Sequence, residues 1–236
     1  MDKLRKELAE IRADSVLDIA TRDGAFAKEL YYGLGACKKI IAVDISNKKF
    51  EDGKKKCEGL PIEFRLGDAL ELPFEDNTFD VVAIANSLHH IPDICKALSE
   101  AKRVVKPNGI IIVSEMFCDG QPIGSLTHWI LHDLECYVDT LKGVYHHHTF
   151  SKRQIRHMIK NSGIIEQKIV IDKKTEIATI SKLEKRALSA WESIEPLQHE
   201  KEFAVVHATY DWMIEEYKER GIASAEQIII IGRKRE

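Results

Sequence analysis

Short apolar runs rich in β-branched residues alternate along the chain with stretches of helical periodicity. Ser15 to Ile19, Lys39 to Val43, Ile62 to Leu66, Val81 to Ala85 and Ile110 to Ser114 have the length and near-continuous apolarity of strands covered on both faces. Four helix-like segments separate them. This alternation predicts an α/β fold, a parallel sheet between two helical layers, with any ligand at the carboxyl ends of the strands where the strand order reverses. Pro107-Asn108-Gly109 is a turn signal that closes a helix of about Ile94 to Val105 before the fifth strand. A further helix is expected from Ser151, whose hydroxyl can cap it; it would carry Ile155, Met158 and Ile159 inward and stop at Asn161-Ser162-Gly163. Ile164 to Ile171 reads as a sixth strand and Gln227 to Ile231 as a last one.

Two segments fall outside this sheet pattern. Residues 117–150 separate the fifth strand from the next helix, and residues 173–225 separate the sixth strand from the last. In the second segment Ile177, Ile180, Ala187, Leu188, Trp191 and Ile194 have helical spacing; Pro196 interrupts it, and Val206, Tyr210, Met213, Ile214 and Tyr217 resume it. A helical hairpin is expected, serving as a lid or an oligomer contact, so a homodimer is open. The whole is expected to form one enlarged domain, 1–236, with two insertions.

The composition narrows the classes of function. The 236 residues are 44% hydrophobic and 31% charged, enough for a sizeable core. The net charge is −3 and the lysines are dispersed, so the electrostatic footprint of a nucleic-acid binder is missing. Cys37, Cys57, Cys95, Cys118 and Cys136 include no Cys-x-x-Cys pair, which fits reduced thiols in a cytoplasm better than disulfides or a zinc knuckle. Residues 1–12 place Leu4, Leu8 and Ile11 at helical spacing, which predicts a docking helix rather than a signal peptide, and no run long enough to span a membrane occurs.

Candidate chemistry begins at the first strand-to-helix turn, Val16-Leu17-Asp18-Ile19-Ala20-Thr21-Arg22-Asp23-Gly24. Such a turn uses small residues to bring backbone amides against a ligand. Asp44 ends the second strand about twenty residues later, where a carboxylate can accept from both hydroxyls of a ribose. A nicotinamide site would need Gly-x-Gly-x-x-Gly, and Ala20-Thr21-Arg22-Asp23-Gly24-Ala25 keeps one glycine of the three. Further on, Gly67 to Asp93 reads GDALELPFEDNTFDVVAIANSLHHIPD: strand end, acidic turn, buried strand and a His-His-Ile-Pro-Asp loop in fixed order.

With these residues the chain resembles the class I S-adenosyl-L-methionine (SAM) methyltransferases, closest to the small-molecule group that includes the ubiquinone/menaquinone-biosynthesis C-methyltransferases. The resemblance covers roughly residues 14 to 116, with a weaker echo to about 172. It implies a Rossmann-like, seven-stranded, mostly parallel sheet with helices on both faces plus helical insertions, SAM as cofactor, and methyl transfer to a small-molecule acceptor. The family turn is Asp-x-Gly-x-Gly-x-Gly, so Asp18 and Gly24 match, while Ala20 and Arg22 replace glycines. An alanine there costs little unless a positive φ is required, and the arginine would set a charged side chain against the cofactor cleft, point outward, or reach the carboxylate of the methionine moiety. The resemblance also implies Asp68 as acceptor for the adenine amino group and Asn86 near the methionine part; Ala20, Ile45, Ala69 and His89 complete the expected cofactor set. The family usually joins its last two strands by a short turn, so the hairpin is a departure. Asn86-Ser87-Leu88-His89 stands where methyltransferases of nucleobase or glutamine nitrogens carry Asn-Pro-Pro-Tyr/Phe, which disfavours such substrates. A non-catalytic SAM-binding scaffold on a degenerate fold is the alternative that Ala20, Arg22 and the hairpin leave open.

Transfer from a sulfonium is an in-line displacement in which alignment and dehydration do much of the work, and a base is needed only when the acceptor must lose a proton. His89 is a structural anchor of its loop or such a base. On a helix of about Leu126 to Leu141, His128, His132, Glu135 and Asp139 would share one face, opposite Leu131, Leu134, Val138 and Leu141. His146-His147-His148 follows; in an extended segment His146 and His148 would share a side. The polar face is either solvated or lines an acceptor pocket capped by residues 117–150, with His128, His132 and His148 as candidate catalytic groups. His-x-x-x-His on a helix is compatible with zinc, but no Cys or Glu stands at a recognised spacing, so no metal ligand is assigned and a metal-dependent small-molecule enzyme on the same fold is left as a third reading.

Overall fold

The computed structural model describes residues 2–172, 180–220 and 223–234. In chain order these form α1 (Asp2–Leu8), β1 (Arg12–Ile19), α2 (Ala25–Gly33), β2 (Ala36–Asp44), α3 (Phe50–Lys56), β3 (Ile62–Leu66), β4 (Phe79–Ala85), α4 (Ile94–Val104), β5 (Val105–Met116), α5 (Ile123–Leu141), α6 (Lys152–Asn161), β6 (Ile164–Asp172), α7 (Ile180–Ile194), α8 (Phe203–Arg220) and β7 (Gln227–Lys234), with short 3-10 turns at Leu88–His90 and Glu195–Leu197. They group into two compact units, one of residues 2–115, 152–172 and 227–234, the other of residues 116–151, 180–220 and 223–226.

The first unit holds a seven-stranded sheet of order β3-β2-β1-β4-β5-β7-β6. β1 pairs in parallel with β2 and β4, β2 with β3, and β4 with β5, whereas β6 and β7 are antiparallel to each other. Burial follows from the sequence pattern: Val16, Leu17, Ala42, Val43, Val82, Ala83 and Ile112 are completely buried, as the central strands of a doubly covered sheet must be. The switch in strand order lies between β1 and β4, and both are flanked by loops at their carboxyl ends.

Two elements depart from the pattern. The first helix stops at Leu8 because Arg12 already pairs with Ala36 as the start of β1; Leu4 and Leu8 are fully buried. Pro107-Asn108-Gly109 lies inside β5 as an irregularity: the register jumps from Phe79 opposite Val105 to Val81 opposite Ile110, and Asn108 takes up the excess chain at φ 60°.

In the second unit α5, α7 and α8 share one core of Leu131, Leu134, Val138, Ala190, Ile194, Leu197, Val206, Met213 and Tyr217. Periodicity assigned most of these positions correctly, but Leu188 is 58% exposed, and Ile177 lies outside the described residues. None of the described helices is long and apolar enough to cross a membrane.

Candidate functional site

Four loops converge at the carboxyl edge of the parallel strands. After β1 the chain turns through Ala20 (φ 56°), Arg22 (φ 53°) and Gly24 (φ 71°), three left-handed residues in alternation. Thr21 N donates to Val43 O (2.9 Å) and Gly24 N to Thr21 O (3.0 Å), which ties the turn to β2. Ala20 and Arg22 thus occupy positions that require a positive φ, so the alanine is more costly than its size suggests. A Cβ on Gly24 would stand 2.5 Å from Phe64 Cζ, so this position also needs its glycine for space. Arg22 is exposed, and its backbone N–H donates to Asp44 Oδ2 at 2.8 Å.

Asp18 is buried, 1% exposed. Its Oδ2 accepts from Thr21 Oγ1 at 2.6 Å, while no donor completes a well-formed bond to Oδ1 although the Ala27 backbone amide lies close enough to favour the charged form. Burial, offset in part by the Thr21 bond and helped by the neighbouring Asp44 carboxylate, pushes its carboxyl up to about 7.

At the end of β2, Asp44 also accepts from Ser46 N through Oδ1 (3.0 Å), and its carbonyl accepts from Gly67 N (3.0 Å), which brings the end of β3 alongside. Beyond it Asp68 is exposed and its Oδ1 caps its own turn by accepting from Leu70 N (2.8 Å). Ile45 projects from the same edge 74% exposed, unusual for an isoleucine. After β4, Asn86 is held at φ 49°: its N–H donates to Ser114 O (2.8 Å), and its Oδ1 accepts from Gln227 Nε2 (2.9 Å). Gln227 Oε1 in turn accepts from Ser114 Oγ (3.1 Å). Sequence reasoning missed Gln227, for which a polar residue opening an otherwise apolar strand was the available signal.

His89 is buried, 2% exposed, with Nδ1 3.1 Å from Glu115 Oε1. The other carboxylate oxygen accepts from Leu88 N (2.9 Å), so Glu115, itself inaccessible, fixes the backbone beside the ring. Glu115 was also missed; its signal was an acidic residue directly after the apolar run of the fifth strand. His90, whose ring centroid is 4.3 Å from that of His89, is exposed.

Residues 17–113 match the family described as a methyltransferase domain. A demethylmenaquinone methyltransferase of Staphylococcus aureus is 33% identical over 114 residues, 48% of this chain and 47% of that protein. The chain therefore spans about half the length of the curated relatives it matches. Among solved structures, one of a methyltransferase-type protein from Bacillus halodurans aligns over 98% of this chain and 97% of its own at a TM-score of 0.66 and 21% identity. Phosphoethanolamine N-methyltransferase 2 of Haemonchus contortus, solved with SAM, aligns over 99% of this chain and 52% of its own at a TM-score of 0.58 and 19% identity. Residues 17–113 thus carry the methyltransferase-domain pattern, and the fold is the one these solved structures share.

The helix-borne histidines of the second unit are not a solvated stripe. His128 Nδ1 accepts the Ala225 backbone N–H at 2.8 Å, which places its proton on Nε2 and makes it a structural acceptor. His132 faces His146, with their Nε2 atoms 3.3 Å apart. His146 and His148 do not share a side: His146 is buried against Asp139 (Nδ1 to Oδ2, 2.8 Å), while the His148 side chain is 63% exposed and meets Asp133 (2.5 Å). Trp129 Nε1 donates to Thr149 Oγ1 (2.6 Å) and Cys136 Sγ to His146 O (2.9 Å), which fix the backbone on either side of the exposed His147 and His148.

Proposed function

We propose that the protein transfers the methyl group of S-adenosyl-L-methionine to a small-molecule acceptor. The observation that carries this reading is the edge formed by the left-handed turn at 20–24 together with Asp44, Asp68 and Asn86, at the ends of neighbouring parallel strands. Ile45, exposed on the same edge, suits the face of an adenine ring, and Ala69 adjoins Asp68 there. In this reading Asp44 accepts from the ribose hydroxyls, Asp68 from the adenine amino group, and Asn86 lines the methionine end beside His89.

When bound, the cofactor supplies a methyl group already activated on a sulfonium. The protein's part is to align the acceptor, exclude water and, where the acceptor carries a proton, remove it. His89 is the imidazole at this end of the edge, with Nδ1 3.1 Å from the Glu115 carboxylate, and is the candidate to take that proton. Demethylated menaquinones, the substrate class in the name of the Staphylococcus aureus relative, are the first acceptors to try.

Methyl-labelled SAM with a panel of small acceptors tests the proposal. His89→Ala is expected to lower kcat by about 100-fold or more while SAM affinity changes little. Label transfer that His89→Ala leaves untouched would take the base away from His89, and a wild-type protein that does not bind SAM would end the reading altogether.

A further inference from the structure

Within the second unit, α5 and the segment that follows it aim two imidazoles at each other. His132 Nε2 and His146 Nε2 are 3.3 Å apart, with ring centroids separated by 4.9 Å and planes at 87°. Two ring nitrogens facing one another need a positive centre between them, a proton or a metal ion. A hydrogen bond between the rings fits the 3.3 Å separation. A metal fits it equally: two imidazoles on one tetrahedral zinc-type ion, each about 2.0–2.1 Å from the metal, have nitrogens about 3.3–3.4 Å apart.

The surroundings prepare the same chemistry. Asp139 Oδ2 lies 2.8 Å from His146 Nδ1; a carboxylate can only accept, so Nδ1 carries the proton and Nε2 presents its lone pair. A carboxylate behind a ligating imidazole is how proteins fix the tautomer and orientation of metal-bound histidines. Cys136 donates its Sγ to His146 O and so holds the backbone rather than competing as a ligand. The His146 ring is 4% exposed, so its orientation is fixed by packing as well as by Asp139. Sequence spacing hid this pairing because the partner of His132 is not the i−4 histidine, His128, which accepts from Ala225, but a residue beyond the end of the helix.

We propose that His132 and His146 bind a divalent transition-metal ion of the zinc class through their Nε2 atoms, with Asp139 orienting His146 and water or further donors completing the coordination. Imidazole ligands suit zinc, cobalt, nickel and copper, and two protein ligands make micromolar rather than structural-zinc affinity the expectation.

The test uses the full chain purified without an affinity tag and stripped of metal with a chelator, titrated with Co²⁺ by visible absorption and with Zn²⁺ by calorimetry. One ion per chain is expected, with tetrahedral cobalt bands. His132→Gln and His146→Gln should each weaken binding by at least about tenfold, Asp139→Asn by about 10–100-fold, and His199→Ala, on an exposed position elsewhere in the unit, should change nothing. Because a variant could lose binding by misfolding, the melting temperature is measured with and without Zn²⁺. Variants that melt like the wild type without metal but lack the metal-induced rise support the site. Wild-type protein that binds neither ion below millimolar concentration, or glutamine variants that keep both the affinity and the rise in melting temperature, would overturn it.

Discussion

The turn between β1 and α2 holds residues whose side chains oppose the backbone they adopt. Ala20 and Arg22 sit at positive φ with a Cβ, a conformation that costs about 1–2 kcal/mol, while glycine there would lose about 0.5–1 kcal/mol through the entropy of the unfolded chain. Ala20→Gly and Arg22→Gly are therefore expected to stabilise the protein slightly, by less than about 1 kcal/mol each in urea unfolding. Gly24→Ala should destabilise it, since strain adds to the contact with Phe64. Asp18 supplies a dependence on pH. Its carboxyl titrates near 7 in the folded state against 3.8 in an ordinary setting, so between these values the folded protein binds more protons than the unfolded chain. The contribution of Asp18 to stability should be greatest below about pH 4, fall as the pH rises to about 7, and level off above it, against the opposite trend of carboxylates such as Asp80 and Glu100 that are held below their usual range. Asp18→Asn should flatten that slope and leave the ligand-free protein more stable than wild type at pH 8, as thermal unfolding across pH would reveal; an unchanged slope would mean that another group is responsible. The sequence announced Asp18, Asp44 and Gly24 by position, but not that Ala20 needs a positive φ, because backbone conformation depends on where β2 lies relative to the turn.

Strands and helices were legible wherever one period dominated. All of the expected strands formed, since near-continuous β-branched runs leave few other ways to bury them. What the pattern could not reveal was partnership. The insertion at 117–150 and the hairpin at 173–225 read as separate additions, yet α5 packs its Leu131, Leu134 and Val138 with Ile194, Val206 and Met213 in a single core. An amphipathic face shows that a helix is covered, not by what. Glu115 and Gln227 escaped notice for the same reason: each acts on a residue that only the sheet order makes its neighbour. Leu131→Ala, at a site 1% exposed, is expected to cost about 2–5 kcal/mol. Trp129, Trp191 and Trp212, the three tryptophans of the chain, all lie in this unit, so tryptophan fluorescence during urea unfolding reads the effect directly. A transition midpoint unmoved by Leu131→Ala would show that the shared core contributes little.

The molecule as a whole combines a region of familiar pattern with one of its own. Residues 17–113 carry the family match and all of the candidate cofactor residues, whereas the second unit lies outside that match. The fold therefore speaks for the cofactor more directly than for the acceptor. Calorimetric titration of the purified protein with SAM and with S-adenosylhomocysteine, beside the Asp44→Ala variant, goes to the centre of the matter. Binding of both ligands at micromolar concentration, removed by Asp44→Ala without loss of the folded state, is the predicted result. Absence of binding by the wild-type protein, or equal binding by the variant, would contradict the assignment of the carboxyl edge of this sheet as the cofactor site.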